Sequence, residues 1–321
     1  MASGGGHLRQ LLLLLPYFAD DDYFIVSERT PLSESAAQEH PVKFVTYFHF
    51  GMRRVEGKFK FLMSGLGNLL SSIWVFIRYR PAVIISTGSG SAYVTLLLGK
   101  LFHRKVVYIE SIARVDKVSL FGRMASRYAG LVIAQWPRLV DSLPQSIYCD
   151  PIQVEDIQED DAKGQVFVTI GTGPLFDRLL GAVNTLARSK SLDGRVIAQI
   201  GATSVKYDAL ETFEVCSAKE MDAHFQSSDL VICHGGSGSL LGALAAGCRV
   251  VAMARDPERG EVYDDHQEQI VGELAGRGLI EAAENEDDLA DAIDRARALP
   301  RRRVIINPQA LVSEIRSFIA R

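Results

Sequence analysis

The sequence predicts an α/β protein built from two successive doubly wound, Rossmann-like domains, and three observations predict it. Its 321 residues suit two domains of ordinary size. Short apolar runs rich in Val and Ile alternate with helix-length segments along the whole chain. Four Gly/Ser-rich turns stand where a strand should hand over to a helix. With 47% apolar and 23% charged residues, the chain has the composition of a protein that folds around real cores.

In the front half, strands are expected near Tyr23–Ser27, Phe44–Thr46, Val83–Ser86, Val106–Ile109 and Leu131–Ala134. Met1 and Ala2 leave almost no residues for a strand ahead of the first glycine turn, so either that strand lies outside these residues or the turn hangs from the sheet without one. Residues 151–164 contain Pro151 and a run of acidic residues without an apolar period, which reads as a linker between domain 1–150 and domain 165–307. The second set of strands is placed at Val166–Ile170, Val196–Ile200, Phe213–Cys216, Leu230–Cys233, Val250–Met253 and Leu279–Glu281. Helices fall between them, around Leu175–Arg188, Lys219–Gln226, Leu240–Ala246, Asp264–Ala275 and Asp287–Leu299. The last segment, 308–321, is a helix with no sheet left to cross and is expected to pack back on the first domain.

Residues 1–150 carry 17 Lys and Arg against 11 Asp and Glu, a net +6, whereas 151–321 carry 18 against 28, a net −10. A basic front half beside an acidic back half does not suit a nucleic-acid binder, whose basic face would dominate; it suits one face near anionic lipid. The uncharged stretch Phe61–Ile77 covers 17 positions, barely a spanning length, and has a polar side of Ser64, Gly65, Gly67, Asn68, Ser71 and Ser72. Its apolar side is Phe59, Leu62, Met63, Leu66, Leu70, Ile73, Trp74 and Ile77, with Arg53, Arg54, Lys58, Lys60, Arg78 and Arg80 at the flanks. Such a helix either faces a core or lies on a membrane surface, and the Trp and basic flanks favour the membrane. The run Leu11–Leu15 is too short for a signal peptide, and four cysteines without CxxC spacing read as buried thiols of a reducing compartment.

The glycine turns are Ser3-Gly4-Gly5-Gly6-His7, Ser86-Thr87-Gly88-Ser89-Gly90-Ser91, Thr169-Ile170-Gly171-Thr172-Gly173 and His234-Gly235-Gly236-Ser237-Gly238-Ser239. Glycine lets the backbone approach a ligand closely, and the N–H groups that open a helix attract phosphate. Two such turns in each domain suggest two phosphate-bearing ligands meeting in a central cleft at the carboxyl ends of the strands. Competing chemistries fare worse. There is no GxxxxGK[ST] motif for nucleotide hydrolysis; Gly4-Gly5-Gly6 followed by Glu28 lacks the third glycine and full first strand of a dinucleotide fingerprint. Asp20–Asp22 reads as a solvated turn rather than a metal clamp, and the seven histidines show no paired ligand spacing, so neither a metal nor another cofactor is expected.

Several stretches carry a family resemblance. Ala2–Leu8 (ASGGGHL), Ile84–Ala92 (IISTGSGSA), Tyr108–Val115 (YIESIARV), Ser119–Gly122 (SLFG) and Val132–Leu139 (VIAQWPRL) resemble the membrane-associated half of the eukaryotic two-subunit GlcNAc transferase of asparagine-linked glycosylation. Val166–Asp177 (VFVTIGTGPLFD), Val231–Gly247 (VICHGGSGSLLGALAAG) and Gly260–Gln267 (GEVYDDHQ) resemble its other half, the last of these closer to the paired bacterial exopolysaccharide and glucuronosyl transferase subunits. The resemblance implies a GT-B fold with both halves fused in one chain. It further implies inverting, metal-independent transfer from a UDP-sugar to a polyprenyl-diphosphate-linked saccharide, in exopolysaccharide or capsule assembly, by a cytoplasmic protein peripheral on the inner face of the plasma membrane. One departure stands out: where the family has a Glu that holds the donor ribose, this chain has Gly242.

Site roles follow from chemistry and likeness together. His234 with the amides of Gly236, Gly238 and Ser239 would stabilise charge on the departing diphosphate, supported by Thr169, Gly171, Thr172, Gly235 and Ser237. Asp265, His266 and Gln267 would meet the donor sugar, and Arg255 or Arg259 would pair with a carboxylate, which makes glucuronic acid the expected sugar. The general base is Glu110, at the end of a strand, or His7, which closes the first glycine turn; the sequence does not choose. Gly5, Gly6, Gly88, Ser89, Gly90, Ser91 and Ser111 would hold the acceptor. Two other readings are a non-catalytic scaffold that docks lipid-linked sugars and a UDP-sugar epimerase on a similar two-lobed fold.

Overall fold

In the computed structural model of the chain, residues 1–49, 57–88, 90–143, 145–158, 164–171, 175–192, 194–262 and 265–321 are described. They divide into two units, Met1–Pro151 with Asn307–Arg321, and Ile152–Ile306.

The first unit is a parallel sheet. β1 (Ile25–Ser27) pairs with β2 (Val42–Phe44), and β3 (Val83–Ser86), β4 (Lys105–Ile109), β5 (Leu131–Ala134) and β6 (Ser146–Tyr148) follow in that order. Met1–Ser3 fill the gap between the two sets: the Ala2 N–H donates to Val26 O at 3.1 Å and the Ser3 N–H to Gly88 O at 3.0 Å. The first glycine turn therefore does have a strand-like stub beneath it. The second strand lies two residues earlier than the pattern suggested, because Val42–Phe44 rather than Phe44–Thr46 meets β1 in register. Val and Ile dominate these strands because both faces are covered. Ile25, Val107, Ile109 and Ile133 share a core with Leu8 of helix Gly6–Leu12 and with Leu311, Val312 and Ile315 of the last helix, Gln309–Ala320.

Helix Gly57–Tyr79 is long and apolar enough to cross a membrane by length and composition, yet its orientation is the reverse of a core helix. Asn68 and Ser72 are fully buried with Val75 and Phe76, while Leu62 (67% exposed), Leu70 (60%), Trp74 (59%) and Ile77 (63%) face outward. Polar contacts fix the inward side: Asn68 Nδ2 donates to Thr46 O at 2.8 Å and to Ser91 O at 3.2 Å, and the Thr46 N–H donates to Ser71 Oγ at 3.1 Å. Exposed Leu97, Leu101 and Phe102, from helix Tyr93–Leu101 and the residue after it, extend the apolar surface. Lys58, Lys60, Arg78 and Arg80 are exposed around it; Arg53 and Arg54 lie outside the described residues.

The second unit is a six-stranded parallel sheet in the order β10 (Glu211–Phe213), β9 (Arg195–Gln199), β8 (Gln165–Thr169), β11 (Leu230–Cys233), β12 (Arg249–Ala252) and β13 (Glu281–Ala282). The order reverses between β8 and β11, the position where doubly wound sheets bind ligands beyond the strand ends. The segment read as a linker is partly structured. Ile152–Asp156 forms β7, antiparallel to β14 (Arg302–Ile306), and belongs to the second unit; residues 159–163 lie outside the described residues. Its acidic pattern hid the strand because one partner for its ladder lies some 150 positions away, where Arg302 pairs with Asp156.

Candidate functional site

In the first unit, the glycine turns after Met1–Ser3 and after β3 are locked to each other. His7 Nδ1 lies 2.6 Å from Thr87 O and, since a carbonyl only accepts, must carry the proton there; Thr87 Oγ1 returns a bond to His7 O at 2.8 Å. In the neutral ring this puts the acceptor lone pair on Nε2. Gly88 has φ +104° and lies over this imidazole, where an added Cβ would stand 3.0 Å from His7 Cε1. Gly5, with φ +87°, and Gly6 are exposed beside it, and the Gly4 N–H donates to the buried Glu28 at 2.8 Å. Burial raises the Glu28 carboxyl above the usual range, against the pull of its hydrogen bonds.

Ser91 and Gly90 serve the protein itself. Ser91 Oγ accepts from the Phe48 N–H at 3.0 Å and donates to Phe48 O at 3.1 Å, and a Cβ on Gly90 would stand 2.7 Å from Phe48 O. Ser89 lies outside the described residues. Glu110 is 1% exposed, and both its oxygens are taken. Oε1 accepts from Tyr108 OH at 2.8 Å and the Ser111 N–H at 2.9 Å, and Oε2 from the Ser119 N–H at 3.2 Å, with Ser119 Oγ 3.1 Å from each. Ser119 also caps helix Leu120–Ala125, so one carboxylate holds the whole turn from Ser111 to that helix. Ser111 Oγ accepts from the Ala113 N–H at 3.3 Å within the same turn. Burial, then the charge of Glu110, pushes the Tyr108 phenol well above its usual range, so it stays a donor.

In the second unit, His234 sits in a slot lined by glycine. A Cβ on Gly171 (φ +68°) would stand 2.6 Å from its Cε1, and one on Gly236 would overlap Nε2. His234 Nδ1 lies 3.3 Å from Thr169 O, which again assigns the Nδ1 proton. Burial, then the charge of Arg255, lowers its pKa to about 3, so the imidazole is neutral and offers Nε2 as an acceptor. The sequence reading made His234 the donor to a diphosphate; in this geometry it can donate from Nε2 only after taking up a proton. The N–H groups of Ser237 and Gly238 at the start of helix Ser237–Ala245 are better placed for that work, because Gly236 provides no side-chain cap and both residues are partly exposed, whereas the Ser239 N–H donates to Gly236 O at 2.9 Å. The turn after β8 is held from below by Thr169 Oγ1, which donates to Gln199 Oε1 at 2.6 Å and accepts from the Gly171 N–H at 3.1 Å. Thr172 lies outside the described residues.

Arg255 is 3% exposed, donates from Nη2 to Ile170 O at 2.7 Å, and stacks over Phe176 with its guanidinium carbon 5.3 Å from the ring centre. Burial lowers its pKa to about 10. Gln267 Oε1 accepts the Arg255 N–H at 3.1 Å, so this side chain braces the loop instead of offering its carbonyl to a sugar. Asp265 accepts from Gln269 Nε2 at 2.9 Å, and His266 opens helix His266–Gly276 beside it. Arg259 is a different case from Arg255: it is exposed and faces Asp256 at 3.4 Å and Glu286 at 3.5 Å. Gly242 is where its helix meets helix Ala218–Gln226, and a Cβ there would stand 2.7 Å from Phe225 Cε2. A larger side chain there would have to displace the Phe225 ring.

Sequence reasoning missed Arg178, Glu261 and Glu286. Arg178 binds both oxygens of Glu261, at 3.0 and 2.9 Å, and Glu286 at 3.1 Å. The bonds from Glu261 raise the Arg178 pKa against burial, and burial works to raise Glu261, which the Arg178 and Asp256 N–H bonds outweigh to leave it low. The hints were that Arg178 directly follows the recognised stretch Val166–Asp177 and that Glu261 lies within the stretch Gly260–Gln267.

Residues 2–152 match the family model "Oligosaccharide biosynthesis protein Alg14 like", and residues 165–316 match "Glycosyltransferase family 28 C-terminal domain". Over 171 residues the chain is 26% identical to the UDP-N-acetylglucosamine transferase subunit ALG14 of Mus musculus, covering 46% of this chain and 79% of that one. Over 294 residues it is 25% identical to a UDP-N-acetylglucosamine--N-acetylmuramyl-(pentapeptide) pyrophosphoryl-undecaprenol N-acetylglucosamine transferase of Cupriavidus metallidurans, covering 83% of this chain and 79% of that one. The crystal structure of MurG from Acinetobacter baumannii superimposes with a TM-score of 0.62 at 17% identity, over 99% of this chain and 98% of that one, which shows the fold. The chain thus joins, in one polypeptide of GT-B fold, an Alg14-like domain to a C-terminal domain of glycosyltransferase family 28.

Proposed function

We propose that the protein is an inverting glycosyltransferase that moves a sugar from a UDP-sugar to a polyprenyl-diphosphate-linked saccharide. The observation that carries this reading is the uncapped helix start after β11, at the switch point of the second sheet, with the buried Arg255 in the neighbouring loop after β12. A departing diphosphate needs preorganised N–H donors and positive charge, and this chain's own residues supply both. The name of the Cupriavidus metallidurans relative, which includes a pyrophosphoryl-undecaprenol acceptor, supports the same substrate class.

The acceptor hydroxyl attacks the anomeric carbon from the face opposite the diphosphate and loses its proton to a base. His7 fits that task better than Glu110: the Nδ1–H on Thr87 O fixes its ring and makes Nε2 the basic nitrogen, whereas Glu110 serves the turn through the bonds it accepts from Tyr108, Ser111 and Ser119. Glu110 then holds the turn that shapes the acceptor side.

For the donor sugar, Arg255 favours glucuronic acid, because a carboxylate in a buried site needs a cationic partner. N-acetylglucosamine is the second reading, favoured by the donor named for the relatives. Assay with UDP-glucuronic acid, UDP-glucose, UDP-galactose and UDP-N-acetylglucosamine on polyprenyl-diphosphate saccharides decides between them. Transfer from none of the four overturns the proposal and leaves a sugar-docking scaffold. Turnover should be unchanged by EDTA; loss that Mg²⁺ restores would make the enzyme metal-dependent. The outward apolar face of Gly57–Tyr79 with its basic flanks supports seating on an anionic membrane surface, consistent with a cytoplasmic protein on the inner face of the plasma membrane that serves exopolysaccharide or capsule assembly.

A further inference from the structure

We propose that Arg178 is a positioning residue for Arg255, acting through a clamp on the backbone to either side of it. This rests on the reading that the second unit binds a UDP-sugar. Arg178 lies in the first turn of helix Asp177–Arg188, yet its guanidinium reaches the loop after β12. Nη2 approaches Ala254 O at 3.4 Å, on one side of Arg255. Glu261, held by Arg178 through both oxygens, accepts the N–H of Asp256 at 2.8 Å on the other side. With Gln267 Oε1 on the Arg255 N–H itself, the two peptide groups that flank the Arg255 Cα are both fixed.

The side chains are aligned as well. Phe176 is buried, and both guanidiniums lie over its ring, Arg178 with its carbon at 5.1 Å and Arg255 at 5.3 Å from the centre. The clamp spans the turns after β8, β12 and β13, since Arg178 also binds Glu286, whose other oxygen faces Arg259. With Arg178, Arg255 and Arg259 against Asp256, Glu261 and Glu286, it is internally balanced. Its effect on a ligand is therefore to aim Arg255 at it. Only arginine can do this, because the bond to Glu261 uses two N–H groups in a planar fork while a third meets Glu286.

Titration calorimetry with UDP and UDP-glucuronic acid tests the proposal on Arg178→Met, Arg178→Lys, Arg255→Met and the double Met variant. Arg178→Met should weaken UDP-glucuronic acid by about 10-fold while UDP weakens far less; Arg178→Lys should not restore it, and the double variant should bind no worse than Arg255→Met alone, since groups in one network are not additive. If Arg178→Met fails to give the wild-type circular dichroism spectrum, Glu261→Gln carries the same prediction. Unchanged discrimination in a folded Arg178 or Glu261 variant, or additive losses in the double variant, overturns the clamp. Should the wild type bind UDP-N-acetylglucosamine better while the two arginines remain non-additive for that ligand, the clamp stands and only the glucuronic acid reading falls.

Discussion

Two glycine turns of nearly the same composition, Gly88–Ser91 in the first unit and Gly235–Ser239 in the second, do different work. In the first, glycine and serine make room and bonds for the protein: Gly90 lets Phe48 O come close, and Ser91 Oγ bonds both backbone groups of Phe48. In the second, glycine makes room for His234 and opens an uncapped helix whose first residues remain partly exposed. A Gly/Ser string thus specifies a close approach, and what approaches decides whether the turn is a brace or an anion site.

The largest effect expected from this contrast is in the second turn. Gly236→Ala should displace His234 and disorder the helix start, lowering turnover by roughly 10²-fold, the scale of losing a preorganised donor. Gly90→Ala should instead cost stability, about 1–3 kcal/mol by overpacking, and leave UDP affinity within a few-fold of wild type. Calorimetric UDP binding and urea midpoints on both variants read the difference; equal losses of UDP affinity would show that both turns hold the donor.

The same division applies to the two candidate bases. His7→Gln should lower kcat by roughly 10²-fold or more at saturating donor, with the urea midpoint little changed. Glu110→Gln should lower the urea midpoint, because an amide cannot accept from Tyr108, Ser111 and Ser119 together. A stable Glu110→Gln variant with abolished kcat would return the base to Glu110.

His234 sharpens the comparison through pH. Its pKa falls from 6.5 to about 3 on folding, so below 6.5 the unfolded chain takes up a proton that the folded one refuses. Stability from this group is present above pH 6.5 and drains as pH falls toward 3, by about 2 kcal/mol between pH 7 and 5. His234→Gln should remove that part of the acid slope in urea titrations at the two pH values; an identical slope would mean that His234 is protonated in its slot. The smallest effect concerns the outward helix. Changing Lys58 and Lys60 to Ser should weaken binding to anionic vesicles by about 1 kcal/mol each, and adding Trp74→Ser should release the protein into the supernatant. Unchanged co-sedimentation of the folded triple variant would leave that apolar face for a protein partner.

Much of the fold was legible in the sequence because parallel strands buried on both faces advertise themselves as short Val/Ile runs: Val83–Ser86, Leu131–Ala134 and Leu230–Cys233 lie where the pattern puts them. The glycine turns and His7, His234 and Arg255 were legible too, since a strand followed by glycine and a helix is a local signal. What lay outside reach depended on partners distant in the chain. The strand Ile152–Asp156 exists because Arg302–Ile306 completes its ladder. Amphipathicity told that Gly57–Tyr79 has two faces, but only the polar contacts of Asn68 and Ser71 with Thr46 and Ser91 decided that the polar one turns inward. The place of Glu110 at the end of a strand was legible, but not the donors Tyr108, Ser111 and Ser119 that meet its oxygens, and Arg178 showed no partner before Glu261 and Glu286 were seen beside it. Backbone preference and hydrophobic period are local and can be read along the chain, whereas hydrogen bonds and ion pairs are made between residues that only folding brings within 3 Å or so of each other.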